Sequence, residues 1–182
     1  MGQDLLKAAL ADIAIDIDRS FDMLLPVPDD GRARLYEAMR HAAIGGGKRL
    51  RPLLVRAAAS LFNVRRESAL RVGLAIECIH VYSLIHDDMP CMDDDTLRRG
   101  KPTVHVQFDD ATALLVGDAL QTLAFQHIAE AQVSDSPQRQ LGMIRQLAIA
   151  SGSRGMAGGQ AIDLASVGLQ LSLAELEFMH IH

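Results

Sequence analysis

The chain has 182 residues, 49% of them hydrophobic and 23% charged, which excludes a disordered tail. It fits a globular domain able to bury about 68–70% of its unfolded surface without a disulfide or structural metal. Eighteen Lys and Arg against 23 Asp and Glu give a formal charge of −5, an argument against a general nucleic-acid binder. The cysteines Cys78 and Cys91 make no disulfide framework.

The start shows no basic stretch leading into an apolar one, and no run approaches the ~18 apolar residues of a membrane helix. A soluble, cytoplasmic protein is expected. Ala and Leu are abundant, aromatics are 4%, and alternation of polar with β-branched residues is almost absent, so the pattern predicts an all-α protein.

A first helix over about residues 4–24 lines up Leu6, Leu10, Ile13, Ile17 and Phe21 on one face, with Asp12, Asp16 and Arg19 elsewhere. Pro26 and Pro28 stop it. A second helix over about 32–43 ends at Gly45, Gly46 and Gly47, and a third is expected from Lys48 to Ser60 with Pro52 near its first turn. Residues 67–88 read as a long apolar helix ended by Met89-Pro90. A polar connector over 93–107 leads to a helix over about 109–132. Ser136-Pro137 looks like a cap opening a helix to about Ser151, and glycines 152, 155, 158 and 159 interrupt the next stretch. Ser172 and Glu175 fit a capping box for a last helix that reaches His182 without a stop signal, so the sequence reads as part of a longer domain.

The most informative stretch is HVYSLIHDDMPCMDDD, His80 to Asp95, with five carboxylates in nine residues. A charge run is often only a solvated face. Here it follows an apolar helix, and His80 and Asp87, two turns apart, share a face. Asp87 and Asp93 flank the expected helix end and can bring two carboxylates to one cavity. Such hard oxygens suit Mg²⁺, which takes few carboxylates together with waters and substrate phosphates. An EF-hand loop and the usual zinc spacings are absent.

Two basic segments complement the acids, GGGKRLRP at Gly45 to Pro52 and LRRGKP at Leu97 to Pro102. Lys48 and Arg51, three apart, are expected on one helical face, and the glycines let backbone approach an anion. The spacing is not that of a P-loop. Acids that bridge one phosphate group through Mg²⁺, beside cations that hold another directly, describe a site for two diphosphates.

At these residues the chain resembles the trans-type polyprenyl diphosphate synthases, most of all the bacterial farnesyl diphosphate synthases. The similarity rests on the acidic stretch and GGGKRLRP above, on LRRGKPTVH from Leu97, GDALQTLAF from Gly117 and GMAGGQAIDL from Gly155. It implies an all-α isoprenoid synthase fold, with residues 1–182 as the N-terminal and central part of one domain. The implied reaction joins isopentenyl diphosphate to dimethylallyl or geranyl diphosphate, with farnesyl diphosphate as product.

By the same resemblance Asp87, Asp88, Asp93 and Asp163 hold Mg²⁺, up to three ions in the complete enzyme. Asp87, Asp93 and Arg98 carry the catalysis. Arg98 binds the allylic diphosphate, Gln160 lines the allylic pocket, and Lys48, Arg51, His80 and Arg99 bind isopentenyl diphosphate. Tyr82 and Ser83, about one turn below Asp87, set product length. A homodimer is implied.

Geranylgeranyl or geranyl diphosphate synthesis is the close alternative. A non-catalytic helical interaction subunit is another, and the intact binding blocks weigh against it. Terpene cyclisation competes as an enzyme class but has no use for Lys48, Arg51 and Arg99. His41, His105 and His127 read as structural, and Met39, Met143 and Met156 as packing. The family's second aspartate-rich motif has no counterpart after Gly155, which bears on turnover by the 182-residue chain itself.

Overall fold

The computed structural model describes residues 2–130 and 133–181. It forms two compact units, Met1–Asp135 and Ser136–His182. In the first unit the helices are α1 (Gly2–Leu24), α2 (Ala33–Ala43), α3 (Leu50–Leu61), α4 (Arg66–Asp87), α5 (Val104–Gln107) and α6 (Asp110–Glu130). A hairpin of two-residue strands, β1 (Leu97–Arg98) and β2 (Lys101–Pro102), pairs Leu97 with Pro102 and Arg98 with Lys101. The second unit holds α7 (Pro137–Ser151), α8 (Met156–Ala165) and α9 (Leu173–Ile181).

The organising element is α4. Leu74, Ala75, Cys78, Ile79, Val81, Tyr82 and Ile85 are all buried, so the helix is apolar around most of its girth and needs neighbours on several sides. It packs against α6 and α3, with α1 and α2 also touching it. In length and composition α4 could cross a membrane, with a mean hydropathy of 1.4, which corrects the expectation that no run approaches that length. About 61% of its apolar window is buried inside the protein, as befits a core helix. Gly73 lets α3 approach, because a Cβ there would lie 3.2 Å from the Pro52 ring.

Ile13, Ile17 and Phe21 form the buried face of α1 as expected, while Leu6 is exposed. The acids on its other side are latches. Asp12 accepts from Arg56 Nη1 at 2.6 Å, and Asp16 from Arg66 Nη2 at 2.5 Å, tying α1 to α3 and α4.

The buried face also surrounds one cation. Arg49 sits between α2 and α3 with its side chain 1% exposed and a left-handed backbone, φ 49°. It donates to Glu77 Oε1 of α4 at 2.8 Å, to Asp18 Oδ1 of α1 at 2.7 Å and to the Ala43 carbonyl ending α2 at 2.5 Å. Asp18 Oδ2 in turn accepts from the Gly45 N–H at 3.2 Å. Four segments therefore meet at one guanidinium, whose fixed fork suits several acceptors at once.

In the second unit the caps behave as the sequence predicts. Ser136 Oγ accepts from the Arg139 N–H at 3.3 Å with Pro137 at the first helical position. Ser172 and Glu175 exchange side-chain to backbone bonds of 2.7 and 3.4 Å.

Removing one partner of a buried pair leaves the other charge stranded. Arg49→Met should therefore destabilise the protein by about 3–5 kcal/mol, and adding Glu77→Leu should recover a large part of the loss. Urea unfolding of the single and double variants checks this; equal stability of Arg49→Met and the parent would refute the strut.

Candidate active site

The C-terminal end of α4 makes the acidic corner. Asp87 is its last residue and Asp88 its cap, with the Asp88 N–H bonded to the Leu84 carbonyl at 3.0 Å. The chain then folds back through Met89 and Pro90. The Asp93 N–H donates to the Asp87 carbonyl at 2.9 Å, and the Asp94 N–H to that of Met89 at 3.2 Å. This turn brings the main chains of Asp87 and Asp93 to one hydrogen bond across the helix end.

Asp88 is committed differently. Its side chain is 5% exposed, and Oδ1 accepts from Arg98 Nε at 2.6 Å, with Nη2 at 2.5 Å. The Asp88 bond, more than any other interaction, raises the Arg98 pKa above its already high value. Arg98 Nη2 also donates to Asp95 at 3.4 Å. The guanidinium is thus fixed against the acidic turn by the carboxylate that comes after Asp87.

The hairpin carrying Arg98 is the main departure from the expected connector. Arg99 and Gly100 have φ of 55° and 78°, both positive as a type I′ turn requires. Lys101 Nζ bonds the Ile44 carbonyl at 3.2 Å, and His41 Nε2 meets the Pro102 carbonyl at 2.8 Å, so the hairpin lies along the loop between α2 and α3. Gly47, φ 86°, makes room for it: a Cβ there would fall 2.2 Å from Arg99 Nη1.

A cleft of 490 Å³ opens at this junction, lined by Lys48, Arg49, Arg51, Glu77, His80 and Arg99 together with Gly47 and Leu50. All four side chains expected to hold isopentenyl diphosphate, Lys48, Arg51, His80 and Arg99, line this one cleft. Lys48 and Arg51 reach it without sharing a helical face, because the left-handed Arg49 between them delays α3 until Leu50. Burial lowers the His80 pKa, and Arg51 and Arg99 push it further down, against the pull of Glu77. A smaller hollow of 70 Å³, lined by Asp88, Arg98 and Lys101, also takes Arg99 as a wall.

Below the acidic corner Tyr82 is buried and meets His86 edge to face, ring centroids 5.8 Å apart. Ser83 Oγ donates to the His80 carbonyl at 2.9 Å. His86 Nε2 lies 3.1 Å from the Leu114 carbonyl of α6. Gln160 and Asp163 belong to the second unit, three residues apart on α8. His105 Nδ1 lies 3.2 Å from Thr103 Oγ1.

Among the described residues no group of three or more His, Cys, Asp or Glu converges to cage a metal. The donors present still fit Mg²⁺. Asp87 and Asp93 offer hard oxygens on one turn, and this ion is usually held by one or two carboxylates plus substrate phosphates. Sequence reasoning missed Arg49 and Glu77. The available signal was Glu77 itself, an acid within the apolar run of α4, which a buried helix tolerates only with a partner.

A family model described as "Polyprenyl synthetase" matches residues 32–182. The chain is 52% identical over 149 residues to farnesyl diphosphate synthase of Escherichia coli (strain K12), covering 81% of this chain and 50% of that protein. It is 44% identical over 171 residues to the heterodimeric geranylgeranyl pyrophosphate synthase large subunit 1, chloroplastic, of Arabidopsis thaliana, covering 91% and 46%. Among solved structures, an FPP/GFPP synthase from Zymomonas mobilis superposes with a TM-score of 0.95 at 61% identity, over 98% of this chain and 65% of that one. The chain spans about half the length of the curated relatives it matches.

His86 leaves no space at its neighbour on α6. A Cβ on Gly117 would lie 2.0 Å from His86 Nε2, so Gly117→Ala must displace the ring beside Asp87. A loss of about 1–3 kcal/mol is expected from such overpacking. Chemical denaturation measures it, and an unchanged midpoint would show that α4 and α6 are less closely fitted.

Proposed function

The chain belongs to the polyprenyl synthetase family, and from that premise we propose that its protein joins isopentenyl diphosphate to an allylic diphosphate, dimethylallyl or geranyl, with farnesyl diphosphate as product. The observation that carries this reading is the cleft lined by Lys48, Arg51, His80 and Arg99, set beside an acidic turn. One anion site would serve an enzyme that ionises a single diphosphate. Two, one acidic and one basic, suit an enzyme that orients two.

On this reading Asp87 and Asp93 hold Mg²⁺, Asp88 supports them through Arg98, and the family resemblance adds Asp163 to the metal set and Gln160 to the allylic pocket. Mg²⁺ there would supply Lewis-acid neutralisation of charge on the departing diphosphate. Arg98, already fixed by Asp88, offers its remaining N–H groups to the allylic diphosphate. Lys48, Arg51, His80 and Arg99 hold the second diphosphate by direct hydrogen bonds. The allylic C–O bond breaks with its electrons leaving on diphosphate. The isopentenyl double bond then attacks the allylic cation, and loss of a proton to diphosphate restores neutrality at carbon. The side chains orient the two substrates, which is the largest share of the work when no protein nucleophile is needed.

Residues 1–182, both compact units included, are then the N-terminal and central part of one isoprenoid synthase domain, acting as a homodimer in the cytoplasm. Tyr82 floors the chain-length tube, with Ser83 beside it. The chloroplastic geranylgeranyl pyrophosphate synthase relative, 44% identical, keeps a longer product as the second reading.

Incubating the protein with isopentenyl diphosphate, geranyl diphosphate and Mg²⁺ should give a C15 alcohol after phosphatase treatment. A C20 product would favour the second reading, and no product from any allylic partner would refute condensation. Asp87→Ala should lower turnover at least about a hundredfold. Lys48→Ala and Arg51→Ala should raise KM for isopentenyl diphosphate far more than for the allylic substrate; the opposite pattern would reverse the assignment of the two sites. Tyr82→Ala should lengthen the product, and an unaltered chain-length distribution would remove Tyr82 from that role.

A further inference from the structure

Glu77 is buried to 2% exposure, and its two oxygens are treated unequally. Oε1 accepts from Arg49 Nη1 at 2.8 Å, whereas Oε2 has no partner. A buried carboxylate oxygen without a partner has lost its hydration with nothing in exchange. This oxygen belongs to a side chain that lines the 490 Å³ cationic cleft. His80, also on the cleft wall, stands one helical turn further along α4, at the spacing where side chains meet.

We infer that Glu77 is a positioning residue for diphosphate binding: with Oε1 held by Arg49, its Oε2 accepts one ring N–H of His80 while the other ring N–H donates to the bound diphosphate, the ring having taken a proton from solvent. A neutral imidazole has one N–H and cannot make both bonds; an imidazolium has two. The inference rests on the reading of this cleft as a diphosphate site and concerns residues of the first unit alone.

The charges around the ring define the switch. From α3 comes Arg51, from the hairpin Arg99, from the α2–α3 loop Arg49, and from α4 itself Glu77, and Lys48 lines the same cleft. Without ligand the cations and burial outweigh Glu77, so the ring sheds its proton more readily than an ordinary histidine. A diphosphate offsets Arg51 and Arg99 and adds its own negative charge beside that of Glu77, so the bound-state pKa is the higher of the two. Binding therefore tightens as pH falls through the bound-state pKa and levels off below the ligand-free one. Arg49 matters because it holds Oε1 and so leaves the second oxygen of Glu77 for the ring one turn along α4.

Calorimetry of isopentenyl diphosphate binding at pH 6.5, in buffers of different ionisation enthalpy, counts the protons taken up. The parent protein should take up more than His80→Asn, by up to about one proton per site, a difference that cancels the ligand's own titration. Glu77→Gln keeps the bulk and can still accept from Arg49. It should abolish most of that difference and weaken binding about tenfold more at pH 6.5 than at pH 8.5, the equivalent of one pKa unit on the ring. A variant that merely loosened the fold would weaken binding alike at both pH values.

If Glu77→Gln does not fold, the His80 ring resonance of the parent protein, assigned with His80→Asn, decides. Its midpoint should rise by about one unit or more with saturating isopentenyl diphosphate, and an unmoved midpoint overturns the inference. Binding that needs Lys48 and Arg51 but takes up the same protons in parent and His80→Asn overturns it while leaving the cleft a diphosphate site. No binding of isopentenyl diphosphate to the parent overturns both.

Discussion

The architecture of the first unit turns on a single buried guanidinium. Arg49 gathers the end of α2, the middle of α1 and the middle of α4, and in doing so dictates where the glycine loop lies and where α3 begins. Such a pair is weak evidence of net stability, since desolvating two ions offsets their attraction. Its value here is directional. The left-handed backbone at Arg49 turns Lys48 and Arg51 to a common cleft, and Asp18 clamps the Gly45 amide that precedes them.

The same economy of position explains the acidic corner. One peptide hydrogen bond, Asp93 to Asp87, folds the run of carboxylates back on the end of α4. Mutual repulsion within that run is relieved by Arg98, which approaches from a hairpin anchored on the α2–α3 loop. The corner and the cleft are therefore built from the same few segments. A shift in the hairpin would be felt at Arg98 on one side and at Arg99 on the other.

Much of this was legible in the residues. Two-turn spacing put His80 and Asp87 on one face of a helix that ends where Pro90 suggests, and Ser172 with Glu175 marked a helix start that the bonds bear out. Other features were hidden for physical reasons. The two strands have two residues each, too short for any alternation to show, and their turn needs positive φ at an arginine, which composition does not advertise. Arg49 reads locally as one more surface cation among Lys48 and Arg51; its burial comes from Asp18 and Glu77, 31 and 28 residues away. Asp12 and Asp16 read only as lying off the apolar face of α1, and they serve as interhelical latches.

Because α4 is hemmed in along most of its length, it acts as a caliper. His80 and Asp87 are seven residues apart, about 10 Å at the helical rise, and a regular helix cannot lengthen or shorten that gap. Two ligands gripped at its ends would be gauged against a fixed scale, and any adjustment to their separation would fall to the hairpin.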